Sequence, residues 1–345
     1  MKTFHLSTAA MAVALGLTIS VAHAQGPSDF YKDKDIRLLI SHPAGGGYDA
    51  YGRFLAQHLP RFLPGHPNII PQNMPGAAGV IMANSMASQQ DTDGTVIGLG
   101  PGAIATADLL NASGARFDAR KLSWIGSMNS DVGVSLAWHT SSVKTVSDLM
   151  RTELIVGGGG VTDQSVVAPT ALNNVLDTKF KIIPGYRGSA ATSLAMERGE
   201  TQGVGGMNFS SIKANRPDWL AEGKINILVQ LSLEPHPDLP KIPTILDLSK
   251  TDEQRKILEL VFAPAAMGRA VFGPPGIPTD RLTALRSAFD AMVKDKQFLA
   301  DAEKLRIEIN QPMAGEKIEA LVTRLYETDA KTVAKAAAAM GVVRQ

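Results

Sequence analysis

Ile36-Arg-Leu-Leu-Ile-Ser41, His42-Pro-Ala-Gly-Gly-Gly47 and Tyr48-Asp-Ala-Tyr-Gly-Arg-Phe-Leu55 follow one another without a break, and their reading decides the fold. An apolar run gives way to three glycines, and a helical pattern begins at once. This predicts a strand, a tight loop and a helix N-terminus. Glycines at such a junction leave backbone N–H groups unshielded by a Cβ. The first helical turn adds unpaired N–H groups and a partial positive charge. Together these make a site for an anion. On its own the stretch also fits a sharp β-to-α turn with no ligand.

The same unit recurs further on. Leu154-Ile-Val156 reads as a strand, Gly157 to Gly160 as a glycine loop, and Val161-Thr-Asp-Gln-Ser165 leads into a helix through Leu176. A third glycine-bearing loop, Pro184-Gly-Tyr-Arg-Gly-Ser189, follows the strand Phe180–Ile183, and Ser189 suits an N-cap there. Between and around these units lie further strand patterns at 69–70, 96–100, 124–128, 132–139 and 225–231. The 202–209 segment reads as a glycine-rich strand, where glycine signals the close approach of another group. Helical stripes run over Asp280–Lys294 and Glu316–Thr332, with an alanine-rich helix from Ala334 to Ala339. Strands alternating with helices over short links predict an α/β fold of two lobes, each a mainly parallel sheet flanked by helices. Ligands in such sheets sit at the carboxyl ends of the strands, where these loops fall.

Bulk properties narrow the function. The 345 residues carry 34 Lys+Arg against 33 Asp+Glu, a net charge of +1, so nothing points to nucleic acid or an acidic membrane surface. The absence of Cys excludes disulfides, thiolate metal sites and Cys nucleophiles, and the seven His have no zinc-binding spacing. No P-loop, dinucleotide fingerprint or Gly-x-Ser-x-Gly elbow is present. No catalytic residue, metal site or cofactor is assigned. Lys2, the apolar run Ala9–Ala22 and Ala22-His23-Ala24 read as a secretory signal cleaved after Ala24, which places the mature chain in a bacterial periplasm. The apolar run is short for a membrane anchor. The expected division is a signal peptide at 1–24, a first lobe of 25–130 plus 235–345, and a second lobe of 131–234.

His42-Pro-Ala-Gly-Gly-Gly-Tyr-Asp49 with Arg53 resembles the opening loop of the substrate-binding proteins of tripartite tricarboxylate transporters, the Bug or TctC-like family. Asn73-Met-Pro-Gly-Ala-Ala-Gly79, Asp91-Thr-Asp-Gly-Thr95, Gly158-Gly-Gly-Val-Thr162, Pro184-Gly-Tyr-Arg-Gly188, Leu239-Pro-Lys-Ile-Pro-Thr244 and Phe272-Gly-Pro-Pro-Gly-Ile-Pro278 follow in the family's order. The resemblance implies a type II periplasmic binding-protein fold, hinged around a cleft, with a small organic carboxylate held by backbone N–H groups. It implies delivery to membrane permease subunits by a monomer that binds no nucleic acid. Carried over, the ligand residues are Ala44, Gly45, Gly46, Gly47, Tyr48 and Asp49, and Gly158, Gly159, Gly160, Val161 and Thr162, with Ser165 beside them. Tyr186, Arg187, Gly188, Asn208 and Phe209 complete the pocket, with Arg187 placed to pair with a second carboxylate. Asp49 is either a ligand contact or a cap of its own helix. Tyr48 departs from the family's Thr or Ser, the Gln202 segment lacks an Asp, and Val166-Val167 replaces a polar helix start. Two other readings stay open: a ligand-presenting sensor subunit, and an exported enzyme with Asp49 or His42 as base.

Overall fold

A computed structural model describes residues 30–110, 114–159, 163–186 and 188–341. The signal sequence with its cleavage site, Gly160, Val161, Thr162 and Arg187 lie outside the described residues. No described helix is long and apolar enough to cross a membrane.

The chain builds β1 (Asp35–Ile40), α1 (Gly47–His58), β2 (Asn68–Asn73), α2 (Val80–Ser88), β3 (Val96–Gly100) and β4 (Ser123–Ser127). It then crosses to a second sheet with β5 (Gly133–Trp138), α3 (Val146–Leu149), β6 (Leu154–Gly158), α4 (Gln164–Leu176), β7 (Phe180–Pro184) and α5 (Gly188–Glu197). This sheet is completed by β8 (Gly203–Asn208), α6 (Phe209–Asn215), α7 (Pro217–Ala221) and β9 (Ile225–Leu231). The return supplies α8 (Asp252–Phe262), β10 (Ala270–Gly273), α9 (Thr279–Met292), α10 (Lys296–Lys304), β11 (Met313–Ala314), α11 (Gly315–Tyr326) and α12 (Ala330–Ala339).

The two sheets run β11-β4-β10-β3-β1-β2 and β7-β6-β8-β5-β9. β1 pairs in parallel with β2 and β3, and β6 with β7 and β8. β10 is antiparallel to both β3 and β4, and β5 to both β8 and β9. Each sheet is therefore mixed but mainly parallel in direction, as expected: β1, β2, β3 and β4 run one way against β10 and β11 in the first, and β6, β7, β8 and β9 run one way against β5 in the second. The reversal of β5 comes from the crossing: it follows β4 from the other lobe with no helix between them and so arrives from the opposite end, while β10 returns after α8. β3 is buried along its whole length, which matches its unbroken apolar sequence and interior position.

Glycine in β8 answers to α4, which lies directly on it. A Cβ on Gly205 would sit 2.5 Å from Pro169 Cγ, and one on Gly206 2.5 Å from the Gln164 carbonyl oxygen. The expected helix over 316–332 is two helices, because Asp329 stops the first and caps the second, accepting from the Thr332 N–H at 2.9 Å. Ser189 falls inside α5, which begins at Gly188, so it is not the N-cap. One apolar cluster runs through both lobes, joining Val80 and Met82 to Leu172, Leu258, Val333 and Ala336. Within it α8 and α12, from the returning chain, pack on α4 of the second lobe. Gln254 donates to the Val175 carbonyl at 2.8 Å and Asn174 to the Ala339 carbonyl at 3.0 Å.

Candidate functional site

The first loop is fastened from below. Gly45 has φ +83°, the left-handed region that glycine enters at no steric cost. The buried Asp49 carboxylate accepts the Gly45 N–H at 2.9 Å, Arg53 Nε at 3.0 Å and Asn73 Nδ2 at 3.0 Å. These bonds, that from Arg53 foremost, hold the Asp49 carboxyl far below the usual carboxylate range. Asp49 thus ties its loop to its own helix and to β2. The helix start stays open: Gly46 is the N-cap and no side chain closes it. The His42 ring stacks on Tyr48, centroids 4.0 Å apart and planes 11° off parallel. Burial, and then the facing Arg269, push His42 below its ordinary value, so its ring is neutral at pH 7.

The second loop has the same construction. Gly159 N–H donates to Ser165 Oγ at 3.0 Å, and Ser165 Oγ donates to Asp163 at 2.8 Å. Gly158 is a packing glycine, since a Cβ there would meet Val166 and Ile182 within 2.8 Å. Tyr186 lies over Gly157, and its hydroxyl donates to Glu200 at 3.4 Å. Phe209 is buried in the second lobe's own core, edge-on to His236. Asn208 faces the cleft and donates to Asp131 at 2.8 Å.

The cleft between the lobes has a volume of about 670 Å³. His42, Tyr48, Ala78, Pro101 and Ala103 line it from the first lobe. Asp163, Gln164, Ser165, Ser189, Gly206 and Asn208 are among its residues from the second. Of the expected ligand residues the structure brings Tyr48, Ser165 and Asn208 into this wall. Ala44 to Gly47 are exposed beside it, while Tyr186 and Phe209 turn elsewhere. Tyr48, Gln164 with Ser165, and Ser189 occupy the first turns of α1, α4 and α5, so three helix N-termini converge on one space. The start of α1 brings open N–H groups, the first turn of α4 is capped by Asp163 through the Ser165 N–H at 2.9 Å, and all three helices point the positive end of their dipoles at the space. Among the described lining residues none is Lys or Arg.

Below Tyr48 lies a network the sequence reading missed. Arg269 and Asp131 form a buried pair at 2.8 Å, their side chains 10 % and 11 % exposed. The guanidinium stands 4.2 Å from the Tyr48 ring centroid and 4.8 Å from that of Tyr51. The Tyr48 hydroxyl donates to the Gly268 carbonyl at 3.3 Å. Burial opposes the charge of Arg269, but Tyr48, Asp131 and Tyr51 hold it charged. Burial also pushes the Tyr48 hydroxyl up to about 12. Asp131 and Arg269 sit on the two crossings between the lobes. With Asn208 bonded to Asp131, the network connects both crossings to the cleft wall.

Two α/β lobes, two crossings and a cleft lined from both sides define a two-lobe, type II binding-protein fold. The chain shares it with solute-binding proteins of the TctC and Bug kind. A TctC solute-binding protein from Polaromonas superposes with a TM-score of 0.68 at 20% identity, covering 90% of this chain and 98% of that one. The periplasmic binding protein BugD gives 0.61 at 19% identity over 91% and 100% of the two chains. An R. palustris protein solved with adipate gives 0.59 at 19% identity over 88% and 97%. In sequence, the UPF0065 protein in gbd 5'region of Cupriavidus necator is 26% identical over 258 residues, 70% of this chain and 71% of that protein. No family model matches the chain.

Proposed function

We propose that this chain is a Bug-type periplasmic solute-binding protein. It captures a small organic carboxylate between the lobes and delivers it to the membrane permease of a tripartite tricarboxylate-type transporter. The observation that carries this reading is the convergence of α1, α4 and α5 on the cleft by their N-termini. The open N–H groups of α1 and the three aligned dipoles suit an anion and need no cationic side chain. The likeness to proteins of this kind, one of them solved with adipate, supports the same reading. In this reading residues 1–24 are removed on export, 25–130 with 235–345 form the first lobe and 131–234 the second. The loop from Ala44 to Asp49 and the loop from Gly158 to Thr162 are the ligand-binding loops, with Arg187 and Asn208 as further ligand residues. The chemistry of the wall favours binding over turnover, because the Ser165 hydroxyl is committed to Asp163 and the Asp49 carboxylate to its own loop. A thermal-shift screen of mono-, di- and tricarboxylates on the mature chain tests this. A carboxylate at 100 times its Kd adds about 2.7 kcal/mol to the folded state, visible as a raised midpoint. If no carboxylate moves the midpoint and a neutral or cationic solute does, the reading fails.

A further inference from the structure

A second cavity of about 300 Å³ adjoins the cleft, sharing Tyr48, Pro101, Ala103, Gln164 and Asn208 with it. Its other walls differ in character. Leu110, Ala168, Val261 and Phe262, all buried, face it from both lobes and from α8. One charged group enters this apolar surround. Asp131 lines the cavity, and its Oδ2 takes both Arg269 and Asn208. Its Oδ1 is buried and has no partner among the described residues. A buried carboxylate oxygen left without a donor is costly, and a donor brought by a ligand would relieve it. We propose that this cavity is a second compartment of the ligand site. It takes the apolar body of an organic acid whose carboxylate lies in the cleft, and Asp131 Oδ1 accepts a hydrogen bond from a hydroxyl or N–H on that body.

Charge and size define the ligand class. Asp131 is already balanced by Arg269, so an added ammonium would leave net charge among apolar walls, whereas a neutral donor leaves none. A cavity half this size holds a benzene ring, so a ring or a branched chain fits. Tyr48 lines both spaces and stands between them, its ring stacked on His42 and its hydroxyl tied to Gly268. The class is an apolar-bodied, hydroxylated or amidated monocarboxylate, not a compact tricarboxylate.

The inference rests on the carboxylate reading of the cleft, and the test separates the two. Isothermal calorimetry on the full mature chain compares succinate, benzoate, the three hydroxybenzoates and uncharged phenol, for the native protein and for Ala265→Leu. Ala265 lines only the second compartment. The expected result is that one hydroxybenzoate binds at least tenfold tighter than succinate and at least fivefold tighter than benzoate. Ala265→Leu then loses at least tenfold for that hydroxybenzoate and less than twofold for succinate. If succinate binds while the aromatic acids bind no better, or Ala265→Leu weakens all acids alike, the second compartment is refuted and the carboxylate reading stands. Equal affinity for benzoate and every hydroxybenzoate refutes the role of Asp131. If phenol binds and no acid does, or if no acid binds, both readings fall.

Discussion

Replacing Arg269 by Met should be among the most destabilising single changes in this protein. Asp131 Oδ2 and Arg269 Nη1 are 2.8 Å apart with side chains 11 % and 10 % exposed. At an effective dielectric of about 20, unit charges at that separation attract by about 6 kcal/mol. The desolvation of two ions, several kcal/mol each, offsets most of this, so the intact pair contributes little. Removing one partner is different, because the other charge stays buried. The expected loss is about 3–5 kcal/mol, set against a total stability of about 5–15 kcal/mol. At roughly 2–4 °C per kcal/mol the melting midpoint falls by on the order of 10 °C. Denaturant titration followed by tryptophan fluorescence measures it. The double variant Arg269→Met with Asp131→Asn removes both charges and should recover more than half of the loss. The reasoning is refuted if Arg269→Met costs under about 1 kcal/mol, or if the double variant is as unstable as the two singles summed.

Two further outcomes follow from the loops. The folded Asp49 carboxyl titrates far below its ordinary value near 3.9, so its contribution is fully present above about pH 4 and is lost as the pH falls below that. Asp49→Asn should therefore lower stability at pH 7 and flatten the acid limb of the stability–pH curve, and an unchanged limb would show that the carboxylate is not held as described. Gly46→Val should fold normally, because Gly46 has φ −91° and a Cβ would meet only the Pro43 carbonyl oxygen, at 3.7 Å. By contrast, Gly206→Ala should cost about 1–3 kcal/mol by pushing the Gln164 carbonyl off β8, and circular dichroism melts of the pair should show this order.

Elements whose signal is local were legible in the sequence. Val96-Ile-Gly-Leu-Gly100 is apolar throughout and is a buried interior strand as read. The glycines of β8 announced a close approach, and Pro169 and Gln164 make it. Helix α8 was missed although Thr251-Asp-Glu-Gln254 carries a capping pattern, and Thr251 does cap, accepting from the Gln254 N–H. β10 is four residues long and runs into Gly-Pro-Pro, which reads as a turn. The reversed strands β5 and β10 were not legible, because strand direction depends on which lobe the chain has just left, and a window of sequence holds no such information. The same limit hid the Arg269–Asp131 pair: its members are 138 residues apart and meet only where the two crossings lie side by side. Arg53 at i+4 from Asp49 was the one local hint that this carboxylate had a partner within its own helix.

Helix α4 presents Gln164 and Ser165 to the cleft at one end and is gripped by α8 and α12 along the rest. Rotation of the second lobe on its two crossings must therefore drag α4 past side chains interlocked with it. That is a sliding seam, not a free swing, and interlocked ridges slip by small steps. Ligand capture would then change the outline of the molecule little and the α4–α12 seam much more. A fluorophore pair set across that seam would report occupancy where scattering from the whole particle would not.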